Sequence, residues 1–182
     1  QLTMMTSLLE RIVPTPARAA ELAKITLSQI AATDKQLTLA LARKPNAVRV
    51  EDIIASWIST MFVGTLRPGA ARFVWDQVLV TGKVTMLVEM AVILLLLLRN
   101  RILAAGTNDV PLVLTEAPPR LLTVVIVKSF RIRRSVSDPR ESVVLLQSVV
   151  DGDDDAAAYR VAQLHAEADR LRATLGETAT GT

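Results

Sequence analysis

The chain has 182 residues, of which 51% are hydrophobic, and its 21 basic and 18 acidic residues leave a net charge of +3. A chain of this length and apolar content can bury a core of its own and is not disordered. The lack of cysteine excludes disulfides and thiolate chemistry within it, and one histidine, His165, is too few for a zinc site or a histidine-dependent triad. The small net charge and the 3% aromatic content argue against nucleic-acid binding.

The first quarter of the chain predicts short helices separated by prolines and by one capping aspartate. Apolar residues at helical spacing predict a helix over 1–13 that Pro14 ends, and the same spacing resumes over 17–30. Asp34 is suited to cap a further helix that ends at Leu41. We expect the apolar members of that helix to be Leu37, Leu39 and Leu41.

The next segment predicts two helices joined by a short link. Apolar residues at spacings of three and four predict an amphipathic helix over 48–62, with Glu51 and Asp52 suited to its first turn. A second helix is predicted over 73–80, and Gly82 separates it from the apolar segment that follows.

A third helix, predicted over 84–103, is almost wholly apolar. Helices that are apolar all round belong in the middle of a bundle or in a membrane. Its uninterrupted apolar run covers only 90–98, whereas about 20 apolar residues are needed to cross a bilayer. The length therefore favours a buried core helix, and a membrane anchor through 84–98 is the competing hypothesis.

The last third of the chain is less uniform. Residues 120–134 are rich in β-branched side chains typical of a strand, but the prolines before them and the helical neighbourhood favour a helix. A polar break over 135–139 precedes a short apolar helix or strand over 141–150. Acidic residues at 151–155 then suit the start of a final helix over 154–176.

The final helix carries apolar residues at alternating steps of four and three, the pattern of a coiled-coil seam. Such a stripe docks on a partner protein or packs on the core of its own chain, and both interpretations stay open. The predicted organisation is a helical domain over 1–134, a linker with a short apolar segment over 135–153, and this amphipathic helix over 154–176. Its candidate partner-binding residues are Val161, Leu164, Leu171 and Leu175.

A basic group on the predicted helix over 120–134 is the densest positive cluster. It is a candidate contact for anionic lipid or an acidic partner, and the plainer interpretation is a solvated helix end with favourably placed cations. Ser135 and Ser137 beside it are candidates for phosphorylation. The group consists of Lys128, Arg131, Arg133 and Arg134.

Two motifs that would imply chemistry fail on inspection. Residues 64–69 mimic the opening of a phosphate-binding loop, but Ala70 and Ala71 stand where Lys and Ser or Thr are required. The acidic cluster at 151–155 lacks the glutamate that completes an EF-hand loop. We therefore expect no catalytic residue, metal or cofactor.

One order of residues is nevertheless distinctive. A tryptophan and a phenylalanine on one helix are followed by a short loop, a phenylalanine and a Trp-Asp pair, a glycine and an apolar helix. This order resembles the C-terminal lobe of the TBC domain, the Rab GTPase-activating family, and the match is best over 48–103. The resemblance implies an all-α helical bundle, here with an extra heptad-like helix, in which these residues are packing and capping groups. They are Trp57, Phe62, Phe73, Trp75, Asp76 and Gly82.

The resemblance has two functional implications. Active members of the family insert an arginine of an I-x-x-D-x-x-R motif and a glutamine of a Y-x-Q motif into a Rab nucleotide site, and neither motif occurs in this chain. We expect a non-catalytic TBC-like scaffold or adaptor in a larger assembly, cytoplasmic and by analogy cytoskeletal or ciliary. Its expected partners are other proteins, bound through the C-terminal helix. The alternative is a fragment of an active Rab GTPase-activating protein, with the arginine and glutamine upstream and a small GTPase as partner.

Overall fold

The computed structural model describes residues 13–43, 46–106, 108–136 and 138–150. Within these ranges the chain forms nine α-helices and one 3-10 helix, with no strand, so the predicted all-α class is confirmed. Several predictions fall outside the described residues. They concern the helix predicted over 1–13, of which residues 1–12 are not described, Ser137, and the final helix with Val161, Leu164, Leu171 and Leu175.

The helices follow one another with short connections. Their bounds are α1 Pro16–Thr33, α2 Lys35–Leu41, α3 Asn46–Ser59, α4 Pro68–Thr81, α5 Thr85–Leu97, α6 Arg99–Ala104, α7 Val110–Glu116, the 3-10 helix Pro118–Arg120, α8 Thr123–Ser135 and α9 Pro139–Val150.

α5 lies at the centre of the bundle. Of its 13 residues, 11 are buried, and it packs against α1, α3, α4, α8 and α9. Because helices surround it, a sequence that is apolar on every face suits this place, as the length of its apolar run predicted. In the described part of the chain no single helix is long and apolar enough to cross a bilayer. The segment Val110–Arg120 and α8 meet that test only as a pair, with a bend of 104° between them.

The predicted apolar helix over 84–103 is broken at Leu98, which has φ −89° and ψ 0°. α6 begins at the next residue, Arg99, whose Nε donates a hydrogen bond to Asp34 Oδ2 at 2.5 Å. Its Nη2 donates to Gln36 Oε1 at 2.8 Å. The bend thus brings the end of the central segment onto the start of α2.

Asp34 caps α2 as predicted, because its Oδ1 accepts a hydrogen bond from the Leu37 amide at 3.0 Å. The prediction that Leu39 belongs to the apolar face is wrong, since its side chain is 68% exposed. A helical period of 3.6 residues places Leu39 opposite the face that packs inward. The buried residues of α2 are Leu37, Ala40 and Leu41.

α3 begins at Asn46, two residues earlier than predicted, so Glu51 and Asp52 lie in its second turn and not in its first. They therefore lie beyond the free amides at the helix start, with which an acidic first turn would interact. Its apolar stripe packs chiefly on α1. The buried members of that stripe include Val50, Ile54, Trp57 and Ile58.

The final described helices complete the bundle. α8 is a helix despite its β-branched residues, because Ile126, Phe130 and Ile132 are buried against neighbouring helices. α9 packs on α8 and α5, and Gln147 Nε2 donates to the Leu96 carbonyl at 2.6 Å. Residues 139–150, predicted as part of a linker segment, therefore belong to the same core.

Candidate binding groove

The turn after α3 has a backbone conformation that residues other than glycine rarely adopt. Met61 and Phe62 have positive φ angles of 48° and 64°. The left-handed region costs roughly 1–2 kcal/mol for each residue that carries a Cβ. The burial of Phe62 and one hydrogen bond offset this cost. The Phe62 side chain is fully buried, and its amide donates to the Trp57 carbonyl at 2.7 Å.

Trp75 ties this turn to α4. Its indole Nε1 donates a hydrogen bond to the Met61 carbonyl at 2.9 Å. The side chain is 41% exposed, so the prediction that Trp75 is a core residue is wrong. The physical reason is its position beside the buried face of α4, where the indole lies over the turn. That buried face consists of Ala70, Ala71, Val74 and Val78.

Three other residues of the predicted motif lie in or against the core. Trp57 and Phe62 are buried, as predicted. The prediction that one helix carries both is wrong, since α3 ends at Ser59 and Phe62 lies in the left-handed turn that follows. Phe73 is half-buried and meets Phe130 of α8 edge to face, with ring centroids 5.4 Å apart and an interplanar angle of 87°. This geometry is the favoured one for an aromatic pair, so it fixes α4 against α8.

The structure contradicts the prediction for Asp76 and confirms the one for Gly82. Asp76 is exposed in the middle of α4, so the prediction that it is a packing or capping group is wrong. α4 begins at Pro68, more than one turn before the Trp-Asp pair, which leaves Asp76 far from the free amides of the helix start. Gly82 ends α4 as predicted, in the left-handed conformation with φ 64° and its amide on the Val78 carbonyl at 2.8 Å.

The turn and the outer side of α4 enclose an apolar cavity of about 520 Å³, here named the α4 groove. Val63 on the turn and Leu79 on α4 are 54% and 48% exposed. Their apolar surfaces, with the Trp75 ring, face solvent and not the core. The groove is lined by Val63, Gly64, Leu66, Pro68, Ala71, Arg72, Trp75, Asp76 and Leu79.

The chemical character of the α4 groove follows from its lining residues. Its walls are apolar, and its charged lining residues are Arg72 and Asp76, both exposed. Among the residues that the structure describes, no three His, Cys, Asp or Glu side chains gather where they could hold a metal ion. The groove therefore combines an exposed apolar wall with a polar margin.

The four residues of the basic group do not share one surface. Arg131 is exposed on α8 and Lys128 is half-buried. Arg133 and Arg134 line a separate cavity, where Arg133 Nη1 donates to Ser142 Oγ at 3.2 Å. Arg131 lies one helical turn before Arg134 but does not line this cavity.

Sequence reasoning missed Val63 and Leu79 as surface residues. A signal was present, because α4 carries apolar residues at 73, 74, 75, 78, 79 and 80, which is more than one face can bury. Helical spacing places Leu79 and Val80 off the stripe of Val74 and Val78. An excess of apolar residues outside the buried stripe is therefore the sequence signature of this groove.

The chain was also compared with known proteins. No family model, no curated protein and no solved structure matches it.

Proposed function

We propose that this chain is a non-catalytic scaffold or adaptor module that binds another protein through the α4 groove. The observation that carries the proposal is the exposed apolar wall formed by Val63, Trp75 and Leu79. Contiguous exposed apolar surface rimmed by polar residues is typical of protein-binding sites.

The shape of this wall is held in place before any partner arrives. The positive φ angles of Met61 and Phe62 set the path of the turn, and the Trp75 indole fixes its Met61 carbonyl. Strained backbone that the surroundings enforce is concentrated at functional sites. A preformed surface also lowers the ordering cost of binding, and tryptophan is among the residues that dominate interface energies.

The resemblance to the TBC C-terminal lobe supports the same proposal. Trp75, a residue of the resembling pattern, hydrogen-bonds the turn that follows the Trp57 helix. The family's arginine and glutamine motifs do not occur in this sequence, so the proposal assigns no catalytic residue. The same analogy with the TBC family gives the proposed partner and location. The partner is a protein of a larger assembly in the cytoplasm, on the cytoskeleton or in the cilium.

The test is co-purification from the protein's own cells, with the intact chain as bait. We expect a partner that is retained by the unmodified chain and lost by Val63→Lys and by Leu79→Lys. Each substitution places a charge on the apolar wall without touching the core. Leu112→Lys is the matched control, because Leu112 is 55% exposed on α7, outside the groove, and this variant keeps the partner.

Two results would count against the proposal. In the first, Val63→Lys and Leu79→Lys keep the partner, whereas a chain that lacks residues 154–176 loses it. That result would assign binding to Leu164 and Leu171 instead of the α4 groove. In the other, the intact chain alone stimulates GTP hydrolysis by a Rab protein, which would make it an enzyme-activating module.

A further inference from the structure

A second cavity, of about 470 Å³, lies on another part of the bundle, where α1, α5, α8 and α9 meet. Unlike the α4 groove it is lined largely by polar and charged side chains, so we name it the arginine cavity. Its lining consists of Gln29, Ala32, Thr33, Glu89, Arg133, Arg134, Val136 and Ser142.

Arg133 is a half-buried charged group in this cavity. Burial lowers the pKa of its guanidinium, and the negative charge of Glu89 acts in the opposite direction. One of its N–H groups donates to Ser142 Oγ at 3.2 Å. Within the described ranges, the ion pairs closer than 4.0 Å do not include Arg133. A guanidinium has five N–H donors, so its capacity to bind an acceptor is not exhausted.

Arg134 is held beside it by an aromatic ring. Its guanidinium carbon lies 5.8 Å from the centre of the Phe130 ring, within the range of a cation–π contact. Phe130 is buried and is itself fixed edge to face by Phe73. A cation–π contact uses one side of the guanidinium, so N–H groups of Arg134 can still donate to oxygen acceptors.

The charges of the lining do not balance. Arg133 and Arg134 bring two positive groups, and Glu89 brings the one carboxylate among the lining residues. Glu89 is also the one acidic residue of α5, the helix whose other members are almost all buried apolar side chains. An excess positive charge in a partly enclosed cavity favours an anion, and the planar donor fork of a guanidinium matches two oxygens of a carboxylate or a phosphate.

We propose that the arginine cavity binds a small phosphate monoester, with Arg133 and Arg134 on the phosphate oxygens. The carboxylate of Glu89 and the side-chain oxygen of Gln29 are acceptors for hydroxyl groups of the same ligand. A hydroxylated phosphate monoester therefore fits this lining better than bare phosphate does. The phosphate monoester belongs to a free metabolite or to a phosphorylated lipid headgroup, and the two sources share the recognition chemistry.

The test is calorimetry on the full chain with glycerol 3-phosphate and inorganic phosphate, and sedimentation with phosphatidylcholine vesicles with and without phosphatidylinositol 4-phosphate. We expect Arg133→Gln to weaken binding by about tenfold or more, the effect of losing a charge-assisted contact. Arg131→Gln, on the same helix but outside the cavity, leaves binding unchanged. Glu89→Gln removes the competing negative charge and strengthens binding of inorganic phosphate several-fold.

The proposal is overturned if no phosphate-bearing probe binds at millimolar concentration. It is also overturned if Arg131→Gln weakens binding as much as Arg133→Gln, or if Glu89→Gln weakens binding of inorganic phosphate, because Arg133 and Glu89 would then form a structural pair only. If the Arg133→Gln variant shows no cooperative thermal transition, it is not folded, and Arg134→Gln is used in its place. Arg134 is exposed, so its substitution does not disturb the core. If glycerol 3-phosphate binds and the vesicles with phosphatidylinositol 4-phosphate do not, the ligand is a free metabolite. If those vesicles bind and glycerol 3-phosphate does not, the ligand is a lipid headgroup.

Discussion

Asp34 shows how one side chain can join distant parts of the chain. It caps α2 through the Leu37 amide and binds Arg99, 65 residues later, at 2.5 Å. Burial raises the pKa of Asp34, but the hydrogen bonds from Leu37 and Arg99 and the charge of Arg99 together bring that pKa below its ordinary value of 3.8. The carboxylate form is therefore the one that stabilises the fold.

The depressed pKa of Asp34 predicts an acid-sensitive free energy of unfolding. The unfolded chain takes up the proton at a higher pH than the folded chain, so this stabilisation is complete above about pH 4 and is lost as the pH falls through the folded pKa. We expect Asp34→Asn to lower the free energy of unfolding by about 2 kcal/mol at pH 7 and to flatten its decline below pH 4. Urea denaturation between pH 2.5 and 7 measures both effects.

The matched control is Asp76→Asn, which alters an exposed aspartate on α4. It is expected to change the free energy of unfolding at pH 7 by less than about 0.5 kcal/mol. Equal losses in the two variants at pH 7 would contradict the role given to the Asp34–Arg99 contact.

Trp75 makes a second prediction at the residue scale. Trp75→Phe keeps an aromatic ring over the α4 groove but removes the hydrogen bond to the Met61 carbonyl. We expect a loss of about 1 kcal/mol in the free energy of unfolding, the net value of one such bond. Amide hydrogen exchange should show faster exchange at the Phe62 amide than in the unmodified chain. An unchanged exchange rate there would mean that the indole does not hold the turn.

Sequence patterns predicted single residues well where the partner is near in the chain. Asp34 was expected to cap α2 because its carboxylate accepts from an amide only three residues later in the chain, that of Leu37. Arg99 could not be assigned to it, because that contact depends on the bend at Leu98. Trp75 was expected to be a packing group from its place in the resembling pattern, and such a pattern does not distinguish the buried stripe of a helix from its neighbouring edge.

At the scale of elements, α5 carries the main stabilisation of the bundle. Its leucines from 94 to 97 are buried, and the helix is surrounded by five helices. We expect Leu95→Ala to lower the free energy of unfolding by about 3 kcal/mol, through lost burial and the cavity left behind. Val80→Ala on α4, where Val80 is 84% exposed, should cost less than about 0.5 kcal/mol. Thermal or denaturant unfolding measures both, and similar values would contradict a central position for α5.

Most elements were predictable because their patterns are strong. α5 was recognisable from its continuous apolar run and α4 from Gly82 at its end. The start of α4 was placed five residues too late, since Pro68 was assigned to the preceding link and not to the first turn. α8 was the hardest element, because its β-branched composition favours a strand and only its packing against Phe73 and α9 settles the helix.

At the scale of the whole molecule, the bundle leaves two openings of opposite character. The α4 groove is apolar and is formed by one helix and the turn before it. The arginine cavity is polar and is assembled from residues as distant as Gln29 and Ser142. The apolar excess of α4 signals exposed apolar surface, but the shape of the α4 groove depends on positive φ angles in a turn. The arginine cavity depends on how four helices meet, which no sequence pattern shows.

The central claim, that the α4 groove is a protein-binding surface, can be tested by site-specific photo-crosslinking in the protein's own cells. A photoreactive amino acid placed at position 79 of the full chain should form an adduct with one other protein. That adduct should be absent when the same group is placed at position 112, and it should disappear when Val63→Lys is added. No adduct at position 79, the same adducts from both positions, or an adduct with residues 154–176 of the chain itself would contradict the claim.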